Sequence, residues 1–178
     1  MNKSELLTPK YRFKSVLDVT ADDLRKMGAK AVGLDIDNTV APDGTTDFLP
    51  GAKEWVAEIT GQGIPITVIS NGSARRVGSI AEYLGGLPFV HFARKPSPRG
   101  LLKAARDMGV DITELAMLGD QLFSDIKAAN RCGAIAVRID PIDAPNRYPL
   151  YYKWRHKQER PYIEAFESKH GYGVYTED

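Results

Sequence analysis

Two carboxylates, Asp35 and Asp37, follow an apolar run that begins at Ala31 and is short enough to be a buried strand. Burying a carboxylate is costly unless it is paired or bound to a cation, so a strand that ends in Asp-x-Asp predicts a divalent metal site or a phosphate site. A structural turn capped by one aspartate would leave the second carboxylate without a role. A calcium loop fits poorly, because Thr39 and Val40 stand where that loop needs an Asp or Asn and a glycine.

Further polar residues follow the other predicted strands. They are Ser70 with Asn71, then Lys95, then Asp120 with Asp125. Because parallel strands present their carboxyl ends at one edge of a sheet, we expect these side chains to converge with the first two aspartates. Several acids at one place repel each other unless a hard cation neutralises them, and an all-oxygen ligand set suits magnesium. A metal, a lysine and a helix N-terminus after Ser70 would together complement a phosphoryl group.

Strands and helices alternate along the chain. Strands are predicted at 31–36, 64–69, 88–92, 115–118 and 134–139, with helices between them, whereas residues 6–17 are predicted to be irregular. This order predicts an α/β fold with a mainly parallel sheet and helices on both faces. We expect a single domain over residues 1–178, with a core at about 18–141 and a C-terminal extension at about 142–178.

Composition restricts the function only weakly. The chain has 24 Lys and Arg against 23 Asp and Glu, so its net charge identifies no partner. A single cysteine, Cys132, allows no internal disulfide and favours a reducing, cytoplasmic compartment. We expect no signal peptide and no transmembrane segment, because no apolar stretch approaches the roughly 20 residues that a membrane span needs.

The polar groups match the motifs of a known family. The chain resembles the haloacid dehalogenase (HAD) superfamily of phosphatases through Asp35-Ile-Asp-Asn-Thr39, Ser70-Asn71, Lys95-Pro96 and Gly119-Asp-Gln-Leu-Phe-Ser-Asp125. Over about 18–141 it resembles the YqeG-type phosphatases of subfamily IIIA. The resemblance implies a three-layer Rossmann-like fold and a magnesium-dependent hydrolysis of a phosphomonoester through an aspartyl-phosphate.

The resemblance also implies a role for each motif residue. Asp35 would attack phosphorus, Asp37 would protonate the leaving oxygen and then activate water, and Lys95 would steady the charge of the nucleophile and the phosphate. The implied phosphate-binding residues are Thr39, Ser70, Asn71 and Lys95. The implied Mg²⁺ ligands are Asp35, Asp37 through its backbone carbonyl, Asp120 and Asp125. Taken singly, each has a simpler interpretation: Thr39 as a turn residue, Ser70 as a helix cap, Lys95 as a surface lysine and Asp125 as a helix first-turn acid.

The spacing of the motifs bears on the substrate. Members of this superfamily choose substrates largely through inserted cap domains, and only 30 residues (40–69) and 24 residues (71–94) separate the first three motifs. We therefore expect no sizeable cap domain and an open site, which favours a phosphate carried on something large or on a surface. Eukaryotic relatives that resemble YqeG-type proteins act on phosphatidylglycerophosphate, so the resemblance implies a lipid phosphomonoester.

The segment 147–160 mixes basic with aromatic residues. Its basic members are Arg147, Lys153, Arg155, Lys157 and Arg160. Such a composition suits an anionic membrane surface or RNA, and it equally suits a helix that packs its aromatic rings on the core.

Two other functional classes compete with an enzyme. A non-catalytic module on a HAD scaffold would bind phosphate, RNA or protein, but it would have no need of an acid and base at Asp37 beside the nucleophile. A receiver-type signalling domain also uses acids, magnesium and lysine, but it places its phosphoacceptor on a later strand, and no lone aspartate stands at Ser70.

Overall fold

Among the residues that the structure describes, one parallel sheet has six strands, in the order β1-β6-β5-β2-β3-β4. The computed structural model describes residues 2–142 and 149–174. The strands are β1 (Tyr11–Phe13), β2 (Ala31–Leu34), β3 (Ile66–Ile69), β4 (Phe89–Val90), β5 (Leu115–Gly119) and β6 (Ile135–Ile139). The helices are α1 (Lys3–Leu7), α2 (Ala21–Lys26), α3 (Ala52–Gly61), α4 (Ala74–Tyr83), α5 (Arg99–Met108), α6 (Lys127–Cys132) and α7 (Pro149–Glu167).

Helices cover both faces of the sheet. One face packs against α2, α3 and α4 through side chains such as Leu24, Ile59 and Ile80, and the other packs against α1, α5, α6 and α7 through Leu7, Leu101 and other buried residues. These three layers confirm the predicted Rossmann-like α/β fold. Residues 40–94, all of them described, contain α3, α4, β3 and β4 and no cap domain.

The position of β2 determines where the chemistry lies. The chain passes from β2 to β3 on one side, and it later returns as β5 on the other side of β2. Loops from these strands therefore diverge at the carboxyl end of β2, which is the crevice where open α/β sheets bind ligands. The β2 strand is packed closely, because a Cβ added at Gly33 would lie 2.8 Å from Cδ1 of Ile69.

The N-terminal segment was predicted incorrectly. Residues 6–17 are not irregular, because β1 lies there and pairs with β6 at the edge of the sheet, and α1 ends at Leu7. A strand of only three residues, with Arg12 at its centre, carries too short a pattern to be recognised from sequence. The predicted strand at 88–92 is also shorter, and only Phe89 and Val90 pair with β3.

The C-terminal helix α7 packs one face on the rest of the protein. Arg155, Glu159, Ile163 and Phe166 are buried at helical spacing, whereas Leu150, Tyr151 and Trp154 are exposed. The second tryptophan of the chain, Trp55 in α3, is buried instead, and its indole N–H donates to the Val19 carbonyl at 2.8 Å.

Candidate active site

Asp35 lies at the carboxyl end of β2, at the centre of the sheet. Its backbone N–H donates to the Leu118 carbonyl at 2.9 Å, which continues the pairing of β2 with β5 and fixes the carboxylate at the edge. The residue is only 5% exposed. Burial raises the pKa of Asp35 to about 7, with a further increase from the charge of Asp125, while Lys95 opposes both effects.

Lys95 joins two of the acids. Its Nζ lies 2.7 Å from Oδ1 of Asp35 and 2.6 Å from Oδ1 of Asp125, and it also donates to the Ile69 carbonyl at 2.7 Å. Burial alone lowers the pKa of Lys95, but the charges of Asp125 and Asp35 more than offset it and raise the pKa above its usual value. The lysine is therefore a fixed, buried positive charge, and the alternative of a solvated surface lysine is wrong.

Asn71 holds the main chain of this lysine. Its Oδ1 accepts from the Lys95 N–H at 2.8 Å, and its Nδ2 donates to the Lys95 carbonyl at 3.1 Å. The peptide bond from Lys95 to Pro96 is cis. The side chain predicted to bind phosphate thus already positions Lys95, with one amide hydrogen left for another acceptor.

Asp120 and Asp125 complete an acidic cluster with Asp35. Asp120 directly follows β5, and Asp125 lies in a π-helical turn before α6. One carboxylate oxygen from each of the three acids lies within 4.8 Å of the others, and all three residues are buried. Burial raises the pKa of Asp120 well above its usual value, against the opposing charge of Arg155.

The donors of this cluster fit a divalent cation. All are carboxylate oxygens, the type that hard cations prefer, and Lys95 balances only one of the three charges. In addition, Oδ1 of Asp120 is buried and accepts no hydrogen bond from the described residues. A buried carboxylate oxygen of this kind is a strong candidate for a metal ligand.

Gly119 makes room for the cluster. A Cβ added at this position would lie 2.4 Å from Cγ of Asp125, closer than any real contact. The buried Asp125 could not move aside easily, because its Oδ2 accepts from the Gln121 N–H at 3.1 Å and its Oδ1 pairs with Lys95. The glycine in the Gly-Asp motif is therefore required by packing.

Asp37 lies apart from the acidic cluster. Its side chain is 25% exposed and makes a two-pronged ion pair with Arg76 of α4, at 2.6 and 3.1 Å. The Gly44 N–H also donates to its Oδ1 at 3.0 Å. The carboxylate thus faces the loop at Gly44 and is partly exposed to solvent, and its side chain lies outside the acidic cluster.

Two residues of the first two motifs, Thr39 and Ser70, have buried hydroxyl groups. Thr39 is fully buried, and its Oγ1 has no hydrogen-bond partner among the described residues. The Ser70 hydroxyl, at the end of β3, accepts from the Gly72 N–H at 3.1 Å and keeps its own proton to donate.

Comparison with known proteins identifies the family. The family model described as haloacid dehalogenase-like hydrolase matches residues 15–133. The chain belongs to this HAD family. It is 29% identical over 156 residues to Probable phosphatase YqeG of Bacillus subtilis, covering 88% of this chain and 89% of that protein. It is also 31% identical over 104 residues to a phosphoglycolate phosphatase of Chromobacterium violaceum, covering 53% of this chain but only 46% of the relative.

Solved structures share the HAD fold. A hypothetical protein from Xanthomonas campestris superimposes with a TM-score of 0.53 at 13% identity, covering 88% of this chain and 93% of that one. The cobalt-bound deoxy-D-mannose-octulosonate 8-phosphate phosphatase of Haemophilus influenzae gives a TM-score of 0.52 at 14% identity, covering 82% of this chain and 92% of that one.

The family model and the sequence relatives confirm the resemblance to a YqeG-type HAD protein. They also confirm the predicted enzyme class, a hydrolase of phosphomonoesters.

Two arginines of this HAD site were not predicted from the sequence. Arg76 contacts Asp37, and Arg155 of α7 is buried with its Nη2 2.9 Å from Oδ2 of Asp120. The sequence does contain a pattern that indicates burial of Arg155. This residue is spaced by four residues from Glu159 and by eight from Ile163, as on the buried face of a helix.

The basic residues of the segment 147–160 differ in their exposure to solvent. Arg147 lies outside the described residues, Arg155 is buried, and Lys153, Lys157 and Arg160 are exposed. The interpretation in which α7 packs on the core with its charges in water is correct for the helix and its lysines, but it is wrong for Trp154 and Tyr151, each of which is 57% exposed. Within the described ranges, no helix is both long enough and apolar enough to cross a membrane.

Proposed function

We propose that this protein is a magnesium-dependent phosphomonoesterase that works through an aspartyl-phosphate on Asp35. One observation carries the proposal: the Lys95 ammonium lies between Asp35 and Asp125, inside a cluster of three buried carboxylates. A buried nucleophile held by a fixed cation at the carboxyl end of a central strand is suited to attack an anionic phosphorus centre.

The residues that would hold Mg²⁺ are Asp35, Asp120 and Asp125, together with the backbone carbonyl of Asp37. The bound cation would supply positive charge to the phosphoryl oxygens and to the acids around it. Two observations support this assignment: Oδ1 of Asp120 has no hydrogen-bond partner among the described residues, and the donor set consists of oxygens.

The remaining chemistry belongs to the protein's own side chains. Asp35 attacks phosphorus, so a P–O bond forms to its carboxylate and the bond to the leaving oxygen breaks. Asp37 gives that oxygen a proton and then takes a proton from the water that hydrolyses the aspartyl-phosphate, and its partial exposure gives it access to both. Ser70 and Thr39 have hydroxyl protons to donate to the phosphoryl oxygens, and Asn71 acts chiefly by holding Lys95.

The substrate we propose is a lipid phosphomonoester at an anionic surface, with phosphatidylglycerophosphate as the first candidate. The absence of a cap among residues 40–94 leaves the site open to a large substrate. The outer face of α7 exposes Leu150, Tyr151 and Trp154 beside Lys153 and Lys157, a combination that suits the interface of an anionic bilayer. We accordingly propose a single domain whose C-terminal extension contacts a membrane from the cytoplasmic side.

The first test is the release of phosphate from an aryl phosphate, with and without Mg²⁺, by the wild type and by Asp35→Asn. We expect release that requires both Mg²⁺ and Asp35, because the amide keeps the shape of the carboxylate but cannot attack. Turnover of Asp35→Asn close to that of the wild type would overturn the proposed mechanism.

Asp37→Asn provides the companion measurement. We expect a loss of turnover on the order of 100-fold or more, because the amide cannot transfer a proton. If a ³²P-labelled substrate leaves covalent label on the wild-type protein but none on Asp35→Asn, the covalent intermediate lies on Asp35. No release from any of the proteins, including with phosphatidylglycerophosphate, would favour a phosphate-binding or RNA-binding module instead.

A further inference from the structure

The helix α7 brings a buried arginine to the acidic cluster. Arg155 is 5% exposed, and its Nη2 donates to Oδ2 of Asp120 at 2.9 Å. The other oxygen of that carboxylate, Oδ1, is buried and receives no donor from the described residues. The two oxygens of Asp120 are thus unequal, one held by the protein and one available.

Arg155 has two further contacts, both with residues of α7. Its Nε lies 3.8 Å from Oε2 of Glu159, one helical turn later, and its Cζ lies 5.0 Å from the ring centroid of Tyr152. Glu159 is fixed in turn, because its Oε1 accepts from the Leu122 N–H at 2.9 Å. Leu122 begins the turn that carries Asp125, so α7 is bonded to both parts of the loop that follows β5.

We infer that Arg155 is a positioning residue: by holding Oδ2 of Asp120 it directs Oδ1 towards the divalent cation. This inference rests on the proposed function, since it assigns a role toward the metal of the same site. Partners behind a ligating carboxylate orient it and sustain metal affinity, and such a partner here comes from the C-terminal extension and not from the four motifs.

Charge does not make Arg155 a competitor of the cation. Its positive charge lies between the carboxylates of Asp120 and Glu159, so Glu159 offsets it locally. The three clustered acids and Lys95 leave two negative charges, which one divalent cation neutralises. If the Arg155 guanidinium occupied the place of the cation, it would contact both oxygens of Asp120. It contacts Oδ2 instead, and Oδ1 has no donor among the described residues.

The test is the dissociation constant of Mg²⁺, measured by isothermal titration calorimetry on the full chain, for the wild type, Arg155→Met and Lys157→Met. Methionine removes the charge and donors of Arg155 while keeping most of its length. We expect Mg²⁺ binding to weaken by about 10-fold to 100-fold in Arg155→Met. Lys157 lies on the exposed face of the same helix, so Lys157→Met should match the wild type within about twofold.

Arg155→Lys guards against misfolding of the methionine variant. Lysine keeps the charge but lacks the planar guanidinium that donates to Oδ2 of Asp120, so we expect a smaller loss of affinity in a protein whose circular dichroism is unchanged. Tighter or unchanged Mg²⁺ binding in the folded Arg155 variants would overturn the inference and leave the proposed function intact. A wild type that binds no Mg²⁺ would overturn the proposed function, and the inference with it.

Discussion

The candidate active site has two halves that differ in exposure. The buried half consists of Asp35, Lys95, Asp120 and Asp125, each less than 10% exposed, whereas the open half consists of Asp37 and Arg76, whose side chains are about a quarter exposed. The buried half is built from strand ends and the loops that follow them, and it is bonded to backbone carbonyls and amides. The open half is built from a loop and a helix surface.

The difference separates the two tasks of the proposed reaction. Charges that must stay fixed lie where water is excluded, because there an ion pair or a cation interacts strongly. The group that must exchange protons with a leaving oxygen and with water lies where both can reach it. Substitutions in the buried half should therefore alter stability and activity together, whereas those in the open half should alter activity alone.

Lys95→Met should have the largest effect. Removing the ammonium leaves three clustered carboxylates with no cation among the four buried-half residues, and breaking a buried ion pair costs about 3–5 kcal/mol. We expect this loss in urea unfolding of the metal-free protein, with partial recovery in excess Mg²⁺ and no phosphatase turnover.

Lys103→Met is the matched control for that experiment. Lys103 is an exposed lysine of α5 that pairs with Asp107 on the same helix, so its removal should cost less than about 1 kcal/mol. If metal-free Lys95→Met were as stable as the control, the ion pairs of the buried half would contribute nothing to the fold.

Gly119→Ala should have an intermediate effect. The new methyl group would lie 2.4 Å from Cγ of Asp125, so the aspartate or the strand must shift, at a cost of roughly 1–3 kcal/mol. Because Asp125 contacts Lys95, we expect turnover to fall as well, by roughly 100-fold if the reacting groups move by about 1 Å.

Gly61→Ala provides the comparison for the glycine. Gly61 ends α3, and a Cβ there would meet nothing within 4 Å, so alanine should leave turnover unchanged and raise stability by up to about 1 kcal/mol. Equal behaviour of the two alanine variants in thermal melts and phosphate release would contradict the packing role of Gly119.

Arg76→Met should have the smallest effect and should separate the two halves most clearly. The pair with Asp37, about a quarter exposed, contributes less than about 1 kcal/mol to stability, so the melting temperature should hardly change. Turnover should fall roughly 10-fold, because Asp37 loses the contact that fixes its orientation. Arg75→Met, at the exposed neighbouring position, should affect neither, and a large loss of stability in Arg76→Met would remove the distinction between the halves.

The sequence predicted the buried half because its residues directly follow strands or lie in the loops after them. Asp35, Lys95 and Asp120 each follow an apolar run, and a parallel sheet necessarily brings such positions together. The fold could also be predicted from the sequence, because alternating strands and helices have few possible arrangements. The short edge strand β1 was not predicted, because three residues are too few to show a periodic pattern.

The arginines could not be predicted from local sequence. Arg76 finds its partner 39 residues away and Arg155 finds its partner 35 residues away, and both stand among other charged residues that face water. Asn71 was predicted to contact phosphate, but its hydrogen bonds to the Lys95 backbone depend on how two loops meet. Roles toward a ligand can be inferred from a motif, whereas contacts between motifs need the packed structure.

The placement of the two tryptophans gives the protein a pair of separate optical reporters. Trp55 is buried and hydrogen-bonded, so its fluorescence should lie at short wavelength and shift to the red when the core unfolds. Trp154 is exposed on α7, so its emission should start at long wavelength and shift to the blue when an apolar medium covers that face. With Trp154→Phe to isolate the core signal, the same spectrum can distinguish unfolding from adsorption of α7 to a vesicle.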